Sequence, residues 1–200
     1  MHGTRWHPGP VVLFVFSLFG CGDGPLEPPC PQGASTVVTD IAGTLTVDDD
    51  AFNSLNEPGG APPDPRPDAA ALFTAWRAAG WHVVYLSADG DDLVYPDGRA
   101  QVDVYADWLE SNGFPREQGD LLLADGFGVH EEDIVHFKQG ALADLAAVGL
   151  AVEVGYGNDD WDAQAYAELE TSWILGDSLA EADAFAAHLD AVDIPDRCVE

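Results

Sequence analysis

Four short stretches of this chain carry side chains that can handle a phosphoryl group. The first is Asp40-Ile41-Ala42-Gly43-Thr44-Leu45-Thr46. An aspartate at a strand end, followed by Gly-Thr, can attack phosphorus while holding a cation. Gly43 would let the backbone approach a phosphate closely, and the Thr44 hydroxyl and nearby amides could bind its oxygens. The second is Tyr85-Leu86-Ser87-Ala88, where the Ser87 hydroxyl is placed for a phosphate oxygen, although serine after a strand also serves ordinary turns. The third is Lys138, the only lysine in 200 residues. One ammonium beside an aspartate and a phosphate offsets their mutual repulsion. The fourth is Gly157-Asn158-Asp159-Asp160-Trp161-Asp162. Oxygen-rich side chains there suit Mg²⁺, which takes few protein ligands and keeps several waters. The competing reading is an acidic helix start, since aspartate is favoured at helix N-termini.

These residues need a scaffold, and the apolar pattern supplies one. Residues 35–39, 82–86, 121–123, 151–154 and 172–175 read as short buried strands. Residues 68–79, 101–112, 137–148, 160–169 and 179–192 read as helices, the first two stopped by Gly80 and Gly113. Residues 51–67, with Gly59-Gly60 and five prolines, read as loop. Strands alternating with helices predict right-handed crossovers and a mostly parallel sheet covered on both faces. Ligands in such folds sit beyond the carboxyl ends of the strands. Asp40, Ser87 and residues 158–162 are predicted to fall there.

Taken together and in this order, the four stretches resemble the haloacid dehalogenase (HAD) superfamily of phosphotransferases. The nearest resemblance within it is to the C-terminal LNS-type domain of lipins and phosphatidylinositol transfer proteins. It is carried by Asp40-Ile41-Ala42-Gly43-Thr44-Leu45-Thr46, Tyr85-Leu86-Ser87-Ala88, Trp108-Leu109 with Gly113-Phe114-Pro115, Leu121-Leu122-Leu123, Phe137-Lys138, and Gly157-Asn158 with Asp162 and Tyr166. The resemblance implies an α/β, Rossmann-like HAD fold without a large cap domain. It implies Asp40 as nucleophile and Mg²⁺ ligand, and the backbone carbonyl of Ala42 as a second ligand. Ser87 and Lys138 would hold the phosphoryl group, while Asn158 and Asp162 would complete the metal site. The implied ligand is a phosphorylated small molecule or a phosphatidate-like lipid.

Two departures from the family pattern matter. Position 42, the general acid and base of the family, is Ala42. Losing one positioned acid/base costs about 10²–10⁴-fold in rate. The carbonyl contact to metal would survive the change. Position 89, arginine in lipins, is Asp89, which exchanges a phosphate attractor for a repeller. Two readings follow: a phosphatase-type domain with weak or lost turnover, or a module that keeps only the fold and binds a phospholipid or a protein. Full activity would need another proton donor.

The ends and the composition place the chain. Residues 1–20 read as a signal peptide, with Arg5 followed by an apolar stretch at 11–19. Leu18-Phe19-Gly20-Cys21 resembles a bacterial lipobox, so Cys21 is either a lipidated N-terminus or part of an ordinary cleaved leader. Residues 21–34 form a Pro/Gly-rich tether, and residues 35–200 form the domain. Export to the cell envelope, with a membrane anchor at Cys21, is the expectation. Cys30 and Cys198 then either pair or stay free. A bridge between them would close a long loop, worth at most about 4–5 kcal/mol on a chain-entropy basis. The net charge of −29, from 36 acidic residues against seven Lys and Arg, argues against nucleic acid as a partner.

Overall fold

The computed structural model describes residues 35–48, 51–57, 59–117, 119–125, 131–176 and 184–197. Cys21, Cys30 and Cys198, with the expected leader and tether, lie outside the described residues. Five strands form one sheet: β1 (Ser35–Asp40), β2 (His82–Gly90), β3 (Leu121–Ala124), β4 (Ala151–Gly157) and β5 (Thr171–Ile174). Their order is β3-β2-β1-β4-β5, and every pairing is parallel. The helices are α1 (Ala69–Ala78), α2 (Gln101–Ser111), α3 (Glu131–Ala147), α4 (Asp160–Ala165) and α5 (Ala184–Ala191).

Alternation along the strands builds two apolar layers. Val37, Val83, Tyr85 and Tyr156 pack against Phe73 and Trp76 of α1, Tyr105 and Trp108 of α2, and Phe185 of α5. Val38, Val84 and Leu86 point the other way, against Ala141 and Leu145 of α3 and Ala165 beyond it. A parallel sheet covered on both faces needs apolar side chains at consecutive positions, which is what Val37-Val38 and Val83-Val84 provide. Burying each such side chain contributes roughly 1.5–3 kcal/mol.

Several boundaries differ from the sequence reading, among them β4, which runs on to Gly157 instead of ending at 154. The supposed loop at 51–67 contains a 3₁₀ turn, Ala51–Asn56. It forms because Phe52 can bury its ring against Tyr105, at a centroid distance of 4.1 Å. Helix α3 begins at Glu131, six residues before the expected start, so Lys138 sits in its middle and not in its first turn. Helix α4 ends at Ala165, four residues short of the expected end at 169. Strand β2 continues to Gly90 instead of stopping at 86. There it is irregular: Ser87 pairs with Leu123 and Gly90 with the very next residue, Ala124, so Ala88 and Asp89 bulge out of the ladder. A bulge re-aims the side chains it carries.

At the opposite edge of the sheet the first and last of the described residues meet. Glu153 of β4 accepts a hydrogen bond from the Ser35 hydroxyl (2.6 Å) through one carboxylate oxygen. Its other oxygen takes the Arg197 guanidinium (2.6 Å), which also lies over the Trp81 ring. The Arg197 amide donates to the Ala79 carbonyl (2.7 Å).

Candidate active site

Beyond the carboxyl ends of β1, β2 and β4 opens a cleft of ≈ 200 Å³. Asp40, Ala42, Ser87, Asp89, Lys138 and Asn158 line it, with Trp161 at the same opening. Larger hollows of ≈ 270 and ≈ 520 Å³ lie elsewhere and contain none of these residues. Position in the fold, not size, singles out the smaller one.

Lys138 organises the interior. Its ammonium donates to Asp40 Oδ1 at 2.8 Å and makes a second, shorter contact to Asp162 Oδ1. All three side chains are nearly solvent-free. One ammonium therefore serves two buried carboxylates. Burial pushes Asp40 up to about 7, with Lys138 opposing the rise and Asp162 adding to it. Burial likewise raises Asp162, against the pull of Lys138. Burial alone would depress Lys138, but Asp40, Tyr166 and Asp162 outweigh it and hold the ammonium well above the ordinary lysine range. The lysine is a permanent cation, and the carboxylate pair retains a proton more readily than free aspartates do.

The local backbone explains these positions. After β1 the chain turns through Gly43 at φ 72°, a left-handed value that favours glycine. The turn is braced: the Gly43 amide donates to Thr46 Oγ1 (2.8 Å), and Arg66 donates from Nε and Nη2 to the Gly43 carbonyl (3.1 and 2.8 Å). The Thr44 hydroxyl lies 3.1 Å from Asp40 Oδ2 and 2.8 Å from Asn158 Oδ1, and donates to one at a time. Across the cleft, Asp159 caps α4 by accepting from the Asp162 amide (2.8 Å). The Asn158 amide donates back to Asp162 Oδ2 (3.1 Å). Gly157 permits this closeness, because a Cβ there would meet the Asp162 Cβ at 2.2 Å.

The sequence-predicted residues thus converge in large part. Asp40, Ala42, Ser87, Lys138 and Asn158 line one cleft, and Asp162 lies beneath it. Gly43 and Thr44 are not among the lining residues; their polar groups brace the turn and join the strand ends. Sequence reasoning missed Arg66, whose role depends on where the 64–66 segment crosses the turn. It also missed Tyr105, which reads as one more apolar residue of an α2 stripe. In the structure the Tyr105 hydroxyl makes a short hydrogen bond to Asp89 Oδ2, and Ser87 Oγ donates to the same oxygen (3.1 Å).

Among the described residues no three His, Cys, Asp or Glu side chains group as a metal site. The oxygen donors lining the cleft include the Asp40 carboxylate, the Asn158 side-chain amide and the backbone at Ala42, with the Asp162 carboxylate beneath them. A hard cation with few protein ligands fits that donor set, and the excess of buried carboxylate over ammonium favours one.

A parallel sheet in this order, with helices on both faces and a buried aspartate-lysine pair at its carboxyl edge, is a HAD-like α/β fold. The family model for the "PITM 1-3, LNS2 domain" matches residues 37–173, and the chain belongs to that family. No curated protein matches the chain at a significant level. Among solved structures, one similar chain is the cobalt-bound deoxy-D-mannose-octulosonate 8-phosphate phosphatase YrbI from Haemophilus influenzae. It is 17% identical, with a TM-score of 0.50, over 82% of this chain and 88% of that one. Another belongs to the Pnkp1/Rnl/Hen1 complex, 15% identical with a TM-score of 0.54, over 72% of this chain and 47% of that one. At these identities the likeness concerns the fold.

Proposed function

We propose that this chain is an exported LNS2 domain, held at the cell envelope through Cys21, that binds a phosphate monoester with Mg²⁺ and turns it over slowly or not at all. The observation that carries the reading is the Asp40–Lys138–Asp162 arrangement at the floor of a cleft where Ala42 stands in place of a proton donor. Lys138 neutralises part of the incoming phosphoryl charge and fixes the Asp40 carboxylate. Asp40 has the position to attack phosphorus and Ser87 the position to hold a phosphoryl oxygen. A methyl group at position 42 can neither protonate the leaving alcohol nor activate water. Bound Mg²⁺, held by Asp40, Asp162, Asn158 and the Ala42 carbonyl, would supply charge neutralisation at the phosphoryl oxygens. A metal-bound phosphatase of the same fold, YrbI, supports this reading.

The test is phosphate release from phosphatidate and from soluble monoesters, with and without Mg²⁺. The natural chain is expected to release little. Ala42→Asp is expected to raise the rate by about 10²–10⁴-fold, and Asp40→Asn to abolish it in either background. Rapid Mg²⁺-dependent release by the natural chain would overturn the loss of turnover. A second reading, in which only the fold is kept, draws on the Ser87 hydroxyl being engaged by Asp89. It expects no phosphate ligand to bind and Ala42→Asp to stay silent.

A further inference from the structure

Asp89 is the feature of the cleft that phosphate binding alone leaves unexplained. It lies on the bulge of β2, where two residues of that strand are accommodated between Ser87 and Gly90. It lines the same ≈ 200 Å³ space as Lys138 and Asp40. Its Oδ2 accepts from the hydroxyls of Ser87 and Tyr105, and its own amide lies 3.3 Å from Ser87 Oγ. Tyr105 is fully buried on α2, so one of the two donors is fixed by the core. The carboxylate is therefore held against the serine that would contact phosphate, and it cannot swing into solvent without abandoning both hydroxyls.

A bare phosphate dianion at Ser87 would meet that carboxylate at close range. In a cleft lined by Asp40, Asp89 and Asp159, with Asp162 beneath, Lys138 is the one cation among the described lining residues. A ligand that brings its own positive charge removes the conflict. An ammonium next to the phosphoryl group could donate to the Asp89 carboxylate as a charge-assisted hydrogen bond. Trp161 lines the same opening, and an indole is a side chain that attracts a cation. We infer that Asp89 is a specificity-determining residue and that the ligand is an aminoalkyl phosphate, a phosphate monoester carrying an ammonium on a short chain. This rests on the phosphate-site reading given above and narrows it.

The test is calorimetric titration of the mature chain in Mg²⁺ with two probes of matched size, O-phosphoethanolamine and ethyl phosphate. The natural chain is expected to bind the amine-bearing probe about tenfold more tightly, the scale of one charge-assisted hydrogen bond. Asp89→Asn is expected to erase that preference while strengthening ethyl phosphate binding. Tyr105→Phe, which frees the carboxylate from its core anchor, is expected to reduce the preference and serves if Asp89→Asn folds poorly. A further arm uses phosphatidylcholine vesicles carrying phosphatidate or a long-chain amino-alcohol phosphate. A preference for the amine seen only on vesicles assigns the ligand to a lipid, and one seen with the soluble probe assigns it to a free metabolite; either supports the inference. Equal binding of the matched soluble probes together with equal binding of the two kinds of vesicle, or a preference that survives Asp89→Asn, would overturn it. Ethyl phosphate that binds the natural chain but not Lys138→Met, with no amine preference, leaves the phosphate site standing and removes only the role of Asp89. Binding of no probe removes both.

Discussion

Replacing Lys138 with methionine would leave Asp40 and Asp162 facing each other in the interior without a counter-charge. Breaking a buried ion pair by deleting one partner costs about 3–5 kcal/mol. Urea unfolding at pH 8 should show a loss of that size for Lys138→Met. At pH 5 the loss should shrink, because the exposed conflict is relieved when a carboxyl takes up a proton. Asp40 makes its own prediction. Its folded-state value of about 7 lies above the ordinary 3.8, so the folded chain holds that proton more tightly than the unfolded one. Its contribution to stability is complete below pH 3.8 and drains away as pH rises through about 7. Measured in chelator, the natural chain should lose stability relative to Asp40→Asn across that window and run parallel to it above. Parallel curves throughout would mean that Lys138 compensates Asp40 in full.

The elements that aim these side chains are short and depend on single contacts. Helix α4 has six residues and begins on the Asp159 cap. Asp159→Ala should cost about 1 kcal/mol, the usual price of an N-cap, read as a lowered unfolding midpoint. Gly157→Ala should cost about 1–3 kcal/mol as an overpacked site, since the new methyl must displace Asp162. Its phosphate binding should fall more than its stability, because Asp162 is the residue that moves. The strands and the positions of Asp40, Ser87, Asn158 and Asp162 were legible because consecutive valines mark strands covered on both faces, and because aspartate, serine and asparagine follow them. Lys138 was legible both as a residue and within a helix, but the first six residues of α3 were not: Glu131-Glu132-Asp133 offers no apolar stripe, and α3 extends there only in the folded context. The bulge at Ala88-Asp89 was illegible because those residues read as the turn that normally ends a strand. Phe52 was hidden among prolines and glycines, and its burial is decided by α2, far along the chain.

At the scale of the whole molecule the charge of −29 governs behaviour in solution. Like charges repel within the compact state, and the Debye length falls from roughly 30 Å at 0.01 M salt to 3 Å at 1 M. The unfolding midpoint should therefore rise with sodium chloride over that range; a flat response would mean that the acids already lie too far apart to matter. The floor of the cleft is shielded differently, since Asp40, Lys138 and Asp162 are buried and answer to one another more than to the bulk field. The Glu153 clasp has a topological consequence. Because Ser35 and Arg197 share one carboxylate, the first and last of the described residues lie at adjoining points, on the edge of the sheet opposite the cleft. A chain so arranged can be cut and rejoined as a circular permutant, with a short linker from 197 to 35 and new ends at Gly59-Gly60, or spliced into a surface loop of a host protein. The sheet, the clasp and the cleft would then travel together as a transplantable cassette.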